Sequence, residues 1–313
     1  MRTTKIILVT GGAGFIGSHL CQCLITAGHK PVVLDNLSTG KKENLVKGCK
    51  FIKGDILDYK LVENIIKKVD VIYHLAASVT IRGSVDKFYE DAQTNIMGTL
   101  NLLRACKNSR SIKKFIFTSS MAVYADSLTP KPISEDYNTH PISPYGVSKL
   151  ASEQYIQLAC KQMGIESTIL RYFNTYGPGQ TFTLYVGVIT IFINRLLDSK
   201  PPIIYGDGEQ KRDFVYVGDI VEATYRVLKA KIDGRIFNVG TGISTSVNQI
   251  ASLVTKKINP LIKPIYKDTQ PGELKNSIAD NSSLYEAINF KPTIRLEQKI
   301  DEVIKYIKNG RNK

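Results

Sequence analysis

Tyr145 and Lys149 form Y-x-x-x-K, a spacing that stacks a phenol and an ammonium on one face of a helix. A phenol titrates near pH ~10 in water and is a poor base at neutral pH. An ammonium beside it, joined by the positive charge of an oxidised nicotinamide, stabilises the phenolate and lowers that value. Such a phenol can take a hydroxyl proton while hydride leaves the same carbon. Alone, the pair is common on solvated helices. A second group of residues, far upstream, gives it meaning.

Gly11, Gly14 and Gly17 follow the apolar run Lys5–Thr10 in the pattern G-x-x-G-x-x-G. The first glycine permits a tight turn, the second lets backbone approach a pyrophosphate, and the third lets a helix sit close on a sheet. The free N–H groups and dipole of that helix would face the anion. Asp35 ends the next apolar run, 18 residues after Gly17. An acid there accepts hydrogen bonds from the adenosine ribose and repels a 2′-phosphate. Asn36 supplies no offsetting charge, although Lys41 and Lys42 are near. The residues favour NAD over NADP.

Elements must hold these groups together. Apolar runs at Lys5–Thr10, Pro31–Asp35, Lys50–Asp55, Asp70–Ala76, Lys114–Ser120 and Ser167–Phe173 alternate with segments of helical spacing. Continuous apolar strands between helices predict a parallel sheet covered on both faces. Ser143 can cap a helix, Pro144 suits its first turn and Gly164 its stop, so a helix over Ser143–Gly164 carries the Tyr–Lys pair. Ile96, Leu100 and Leu103 place another over Asp91–Cys106. After Phe173 the texture changes to turn formers. Helices are expected at Gly187–Ser199, Gly218–Lys229 and Arg295–Lys308, with a hairpin around Gly206-Asp207-Gly208. The fold class is α/β: a doubly wound parallel sheet (Rossmann) with a smaller C-terminal mixed α/β substrate domain. Residues 1–174 form the dinucleotide-binding domain, with 215–240 returning to it, and residues 175–313 form the nucleotide-sugar-binding domain.

The chain has 313 residues, 43% hydrophobic and 22% charged, ordinary for a globular protein with a sizeable core. No apolar run is long enough to span a bilayer and no secretory leader is evident, so a cytoplasmic protein without a membrane partner is expected. Cys21, Cys23, Cys49, Cys106 and Cys160 lack metal-ligand spacing and read as free thiols in a reducing compartment. Cys21 and Cys23 should face apart on one helix. The net charge of +14 comes from scattered lysines. It reads as a solvated surface whose field draws anions, rather than as a nucleic-acid footprint.

The sequence resembles the extended short-chain dehydrogenase/reductase family of nucleotide-sugar epimerases and dehydratases over nearly its whole length. The likeness is carried by GGAGFIG (11–17), LDNLSTG (34–40), GDI (54–56), HLAA (74–77), SS (119–120), YGVSK (145–149), RYFNTYGPGQ (171–180) and RDFVYVGD (212–219). It implies cofactor contacts from Gly11, Gly14, Phe15, Ile16, Gly17, Asp35, Asn36, Ser38, Thr39, Gly40, Asp55, Ile56, Leu75, Ala76, Ala77, Asn95, Tyr145 and Lys149. Tyr145, Lys149 and Ser120 are the implied catalytic residues, with Ser119 the neighbouring alternative for the hydroxyl. Ser78, Ser120, Tyr145, Asn174, Val188, Tyr205, Arg212 and Glu273 are the implied substrate contacts. Asn174 and Arg212 would meet a diphosphate, and Glu273 the nucleotide ribose. No metal is implied.

Dehydratases of this family place Asp-Glu directly after the active-site hydroxyl, and related decarboxylases keep the Glu. Met121 and Ala122 stand there instead, and neither can move a proton. The resemblance therefore implies 4-epimerization of a UDP-sugar, of the UDP-glucose/UDP-galactose type. The hydroxyl at C4 is oxidised to a ketone, the ketosugar turns over, and hydride returns to the opposite face while the cofactor stays bound. UDP-N-acetylglucosamine and UDP-glucuronate remain alternatives, and Ser277 is small enough to leave room for an N-acetyl group. A reductase is a more distant reading, and a non-catalytic NAD- or RNA-binding protein on the same scaffold is a reading from another class. Against the last, the Tyr–Lys pair and the glycine turn are intact. Gln270 departs from an arginine usual near the Pro-Gly at 271–272. Ala125 departs from a common glycine, with no functional meaning attached. The resemblance also implies a homodimer packed through helices Asp91–Cys106 and Ser143–Gly164.

Overall fold

The computed structural model describes residues 4–79, 83–181, 187–269 and 275–311. Six strands alternate with helices: β1 (Ile6–Thr10), β2 (Lys30–Asp35), β3 (Lys50–Lys53), β4 (Val71–His74), β5 (Lys114–Ser120) and β6 (Glu166–Tyr172). With Arg235–Val239 they form one parallel sheet in the order Arg235–Val239, β6, β5, β4, β1, β2, β3. Successive residues of a strand point to opposite faces. Ile7 and Val9 accordingly join one apolar core and Leu8 the other. Burial on both faces is why β1, β2 and β4 read as near-continuous apolar runs rather than alternating. No helix among the described residues is long and apolar enough to cross a membrane.

The helix that carries Tyr145 and Lys149 spans Pro144–Met163, as its signals predict. The Ser143 hydroxyl accepts the Gly146 N–H at 3.1 Å, Pro144 lies in the first turn, and Gly164 caps the end. The Asp91–Cys106 segment differs from expectation. A helix at Phe88–Ala92 passes through a π turn at Gln93–Met97 before continuing at Gly98–Lys107. The widened turn centres on Asn95, whose buried amide makes tertiary bonds that a regular helix would have to re-aim.

The expected hairpin around Gly206-Asp207-Gly208 is not formed. The turn is there, with both glycines at positive φ. The flanking strands, however, take separate partners. Ile203–Tyr205 pairs with Ile265–Lys267, and Lys211–Arg212 lies between Thr245–Ser246 and Asn276–Ser277. Asn248 packs against Gly208 so closely that a Cβ there would sit 2.1 Å from its Oδ1. The turn is held by Asn248, on the helix Val247–Ile258, rather than by cross-strand pairing. Asn174–Tyr176 pairs in parallel with Phe214–Tyr216 beside the main sheet. Helices at Val188–Leu197, Val217–Val227 and Leu296–Arg311 match expectation within a few residues.

Candidate active site

All strands of the main sheet run the same way, so the chain leaves β1, β4 and β5 at one edge of the sheet. The glycine loop follows β1. Gly11 has φ +72 and packs so tightly on the turn after β4 that a Cβ would lie 2.8 Å from the Ala76 nitrogen. At Gly17 a Cβ would lie 2.2 Å from the Gly11 carbonyl oxygen. Side chains are thus excluded on both sides of the loop. Gly14 caps the helix Phe15–Thr26, with no side chain satisfying its first N–H groups. An uncapped helix start opening from such a cradle fits a pyrophosphate. Phe15 and Ile16 are the first two residues of this helix.

Asp35 ends β2 with its side chain buried. One carboxylate oxygen accepts the Ala13 N–H at 3.0 Å, and the other accepts the Leu37 N–H at 2.8 Å. The acid therefore ties the glycine loop to the loop that follows β2. Gly40 leaves no room beside it, since a Cβ would lie 2.9 Å from Asp35 Oδ1. Asn36 donates to Asp55 at 2.7 Å, and Ser38 and Thr39 are exposed on the same rim. Ile56 closes over Gly98, on the helix behind the site. Leu75, Ala76 and Ala77 line the turn after β4, where Leu75 and Ala76 donate backbone N–H groups to Thr10.

Tyr145 and Lys149 are buried one helical turn apart. Lys149 donates to the Thr118 carbonyl at 2.9 Å, and its ammonium lies 5.9 Å from the centre of the Tyr145 ring. Burial pushes this lysine down to about 8, against the upward pull of Asp91 and Glu153. The Tyr145 phenol is pushed above its usual range, by burial first; a hydrogen bond with Ser120 pulls it down and Asp91 pushes it further up. Without the charge of a nicotinamide beside it, burial outweighs the ammonium, which is aimed at the Thr118 carbonyl.

β5 also separates the two adjacent serines. Ser119 hydrogen-bonds to Glu153, which is paired with Arg171 at 2.7 Å in the interior. Ser120 accepts the Ala122 N–H at 3.2 Å and turns to Tyr145. Strand alternation thus puts Ser120 toward the phenol and Ser119 away from it. Met121 and Ala122 follow as a buried turn without a titratable group.

Asn95 joins this cluster to the turn after β4. Its Oδ1 accepts the Ser78 N–H at 2.8 Å, and its Nδ2 donates to Ser78 O, to Asp91 at 3.1 Å and to Ser148 Oγ at 3.1 Å. Behind it runs a chain that the sequence reading missed. Ala76 N–H donates to Thr10 Oγ1, Thr10 pairs with His74 Nδ1 at 2.8 Å, His74 Nε2 pairs with Thr99 Oγ1 at 2.9 Å, and Thr99 donates to Asn95 O at 2.6 Å. Each hydroxyl has one proton, so the chain is satisfied when His74 carries its proton on Nε2. Burial holds this ring neutral by pushing it down to about 3. A histidine inside an apolar strand was the available signal, but its partners are set only by packing.

The substrate-side candidates lie on other elements. Asn174 begins Asn174–Tyr176 and donates its N–H to the Asp213 carbonyl at 3.0 Å. Arg212 is half-buried and donates to the carbonyls of Lys211 and Lys275 at 2.9 and 3.2 Å. Its neighbour Asp213 points into the interior, where it accepts from Thr241, Gly242 and Ala279. Asp213 was not singled out from the sequence, yet it fixes the strand that displays Arg212. Val188 opens the helix Val188–Leu197, and Tyr205 ends Ile203–Tyr205. Ser277 stands opposite Arg212 with its hydroxyl buried and no hydrogen-bond partner among the described residues. Glu273 and Gln270 lie outside the described residues. Among the described residues no His, Cys, Asp and Glu cluster could hold a metal.

A family model described as "NAD dependent epimerase/dehydratase family" matches residues 7–240. The chain is similar to a solved UDP-glucose 4-epimerase from Thermotoga maritima with UDP-glucose, at 38% identity and TM-score 0.94 over 98% of this chain and 99% of that one. It is similar to a UDP-N-acetylglucosamine 4-epimerase from Methanobrevibacter ruminantium M1 in complex with UDP-N-acetylmuramic acid, at 38% identity and TM-score 0.92, covering 99% of this chain and 100% of that one. A UDP-N-acetyl-alpha-D-glucosaminuronate decarboxylase from Bacillus cytotoxicus is 35% identical over 98% of this chain and 99% of its own length.

Proposed function

Since the chain belongs to the NAD dependent epimerase/dehydratase family, we propose that it inverts C4 of a UDP-linked hexose, interconverting UDP-glucose and UDP-galactose with NAD resident above its first glycine loop. The observation that carries this reading is the Ser120–Tyr145–Lys149 cluster followed by Met121 and Ala122. The cluster can exchange a hydroxyl proton, and neither Met121 nor Ala122 can move a second one.

The cradle fits the cofactor because Gly11 and Gly17 let the loop pack close on the turn after β4 and on itself, where a Cβ would clash, and the helix start that opens from it is uncapped. Bound NAD supplies a reversible hydride acceptor and, when oxidised, a positive charge beside the phenol. Tyr145 takes the C4 hydroxyl proton and later returns it. Ser120 holds the same oxygen and lowers the cost of the phenolate. Lys149 anchors the nicotinamide ribose and keeps a cation one turn from Tyr145. Asn95 fixes Ser78 against the turn after β4. Arg212 and Asn174 hold the diphosphate, an anion suited to a guanidinium, while the ketosugar turns over.

The neutral pair at 121 and 122 speaks against dehydration and decarboxylation, which need an additional acid or base at the sugar. A second substrate is favoured by Ser277, which is small, buried and opposite Arg212. Its small side chain supports UDP-N-acetylglucosamine, which carries an N-acetyl group at C2, as the alternative substrate. The expected homodimer is supported by apolar side chains exposed on the two helices concerned: Phe88, Tyr89, Met97, Val147, Tyr155 and Leu158. The cysteines among the described residues are free thiols, which suits a reducing cytoplasm.

The test is a panel of UDP-glucose, UDP-N-acetylglucosamine and UDP-glucuronate, followed by NMR without added cofactor. The proposal expects C4 inversion of UDP-glucose and no loss of water or CO2. Release of CO2 from UDP-glucuronate, with no C4 inversion of any substrate, would remove it.

A further inference from the structure

A carboxylate that the mechanism above does not use lies behind the catalytic helix. Asp91 is 1% exposed. Its Oδ1 accepts from Asn95 Nδ2 at 3.1 Å, with a further contact from Ser148. Its Oδ2 is buried with no hydrogen-bond partner. A buried carboxylate left half-satisfied is costly unless its charge has a use. Asp91 sits one helical turn before Asn95, which bonds both Ser78 and Ser148. Ser148 immediately precedes Lys149 and donates to the Tyr145 carbonyl at 3.0 Å. One side chain thus touches the bonds that place Asn95, the catalytic helix and the turn after β4.

We propose that Asp91 is a positioning residue for the redox step: it aims Asn95 and Ser148, and through them holds the helix that carries Tyr145 and Lys149. This rests on the reading of Tyr145 and Lys149 given above. Among the described residues the charged neighbours of Lys149 are few. On its own helix stand Tyr145 and Glu153, and Glu153 is already neutralised by Arg171 from β6. β4 contributes His74, which is neutral, and β5 contributes only the Thr118 carbonyl and the Phe117 ring at 4.7 Å. Asp91, from the helix Phe88–Ala92, is the acid not committed to a cation among these groups. Removing its charge disfavours the ammonium, so the lysine loses its proton at lower pH.

The test compares Asp91→Asn with Asp91→Glu, which keeps the charge. The titration of Lys149 is read directly in the NAD-bound protein from the 13Cε shift of labelled lysine, assigned by its absence in Lys149→Arg. The expected midpoint falls by about one pH unit in Asp91→Asn and stays within about 0.3 unit of wild type in Asp91→Glu. In parallel, the alkaline limb of the kcat profile for C4 inversion moves down with the lysine in Asp91→Asn, leaving KM within about twofold. An unmoved lysine midpoint in Asp91→Asn, or an equal loss of kcat at every pH in both variants, overturns the proposal. Because the lysine titration needs no substrate, a failure of the C4 reading leaves that part of the test standing by itself.

Discussion

At the proposed cofactor end, three glycines in one short loop, an acid at the end of β2 and a tyrosine–lysine pair on one helix are the proposed working groups. At the substrate end, Arg212 sits on a two-residue strand between Thr245–Ser246 and Asn276–Ser277, and Asp213 beside it is held by Thr241, Gly242 and Ala279. The first end is local in sequence and backed by a seven-stranded sheet. The second is assembled from short segments that only the folded chain brings together. A scaffold of this kind keeps the redox chemistry on rigid elements and leaves recognition to segments that can vary without disturbing the sheet.

The sharpest way to break this contrast is Tyr145→Phe. It removes one hydroxyl from the rigid end, and kcat should fall more than about a thousandfold with bound NAD and KM little changed. Near-normal turnover would detach Tyr145 from the chemistry. Gly17→Ala acts on the same end through sterics, forcing a Cβ to 2.2 Å from the Gly11 carbonyl. Overpacking of this kind costs about 1–3 kcal/mol, so NAD retained after gel filtration should fall on the order of 10- to 100-fold. Arg212→Ala probes the other end and should raise KM by about tenfold with kcat within about twofold. A collapse of kcat instead would mean that the two ends are not separable. The smallest effect should divide adjacent serines: Ser120→Ala lowers kcat by about tenfold, whereas Ser119→Ala leaves it within about threefold and mainly lowers the Tm by loosening Glu153 and Arg171.

The same contrast explains what could be read before folding. The alternation of strands and helices, the capped helix from Pro144 and the glycine turn at Gly11–Gly17 were legible, because periodicity, caps and glycine spacing act over a few residues. The hairpin expected at Gly206–Gly208 was not, because Ile203–Tyr205 and Lys211–Arg212 are too short to signal their partners and are paired by tertiary packing. The π turn at Asn95 escaped for a similar reason: helical spacing on either side hides one extra residue per turn. The chain from Thr10 through His74 and Thr99 to Asn95 was invisible, since it bonds side chains from β1, β4 and a helix. The depth at which Tyr145 and Lys149 are both buried was not legible either, because spacing reports a neighbour and says nothing of burial.

The central claim is that C4 is oxidised and reduced within one active site by a cofactor that never leaves. UDP-glucose carrying deuterium at C4, incubated with the purified protein in ordinary water without added NAD, tests it directly. The account predicts UDP-galactose that keeps its deuterium at C4. Deuterium lost to solvent, or UDP-galactose formed only when NAD is supplied, would contradict it.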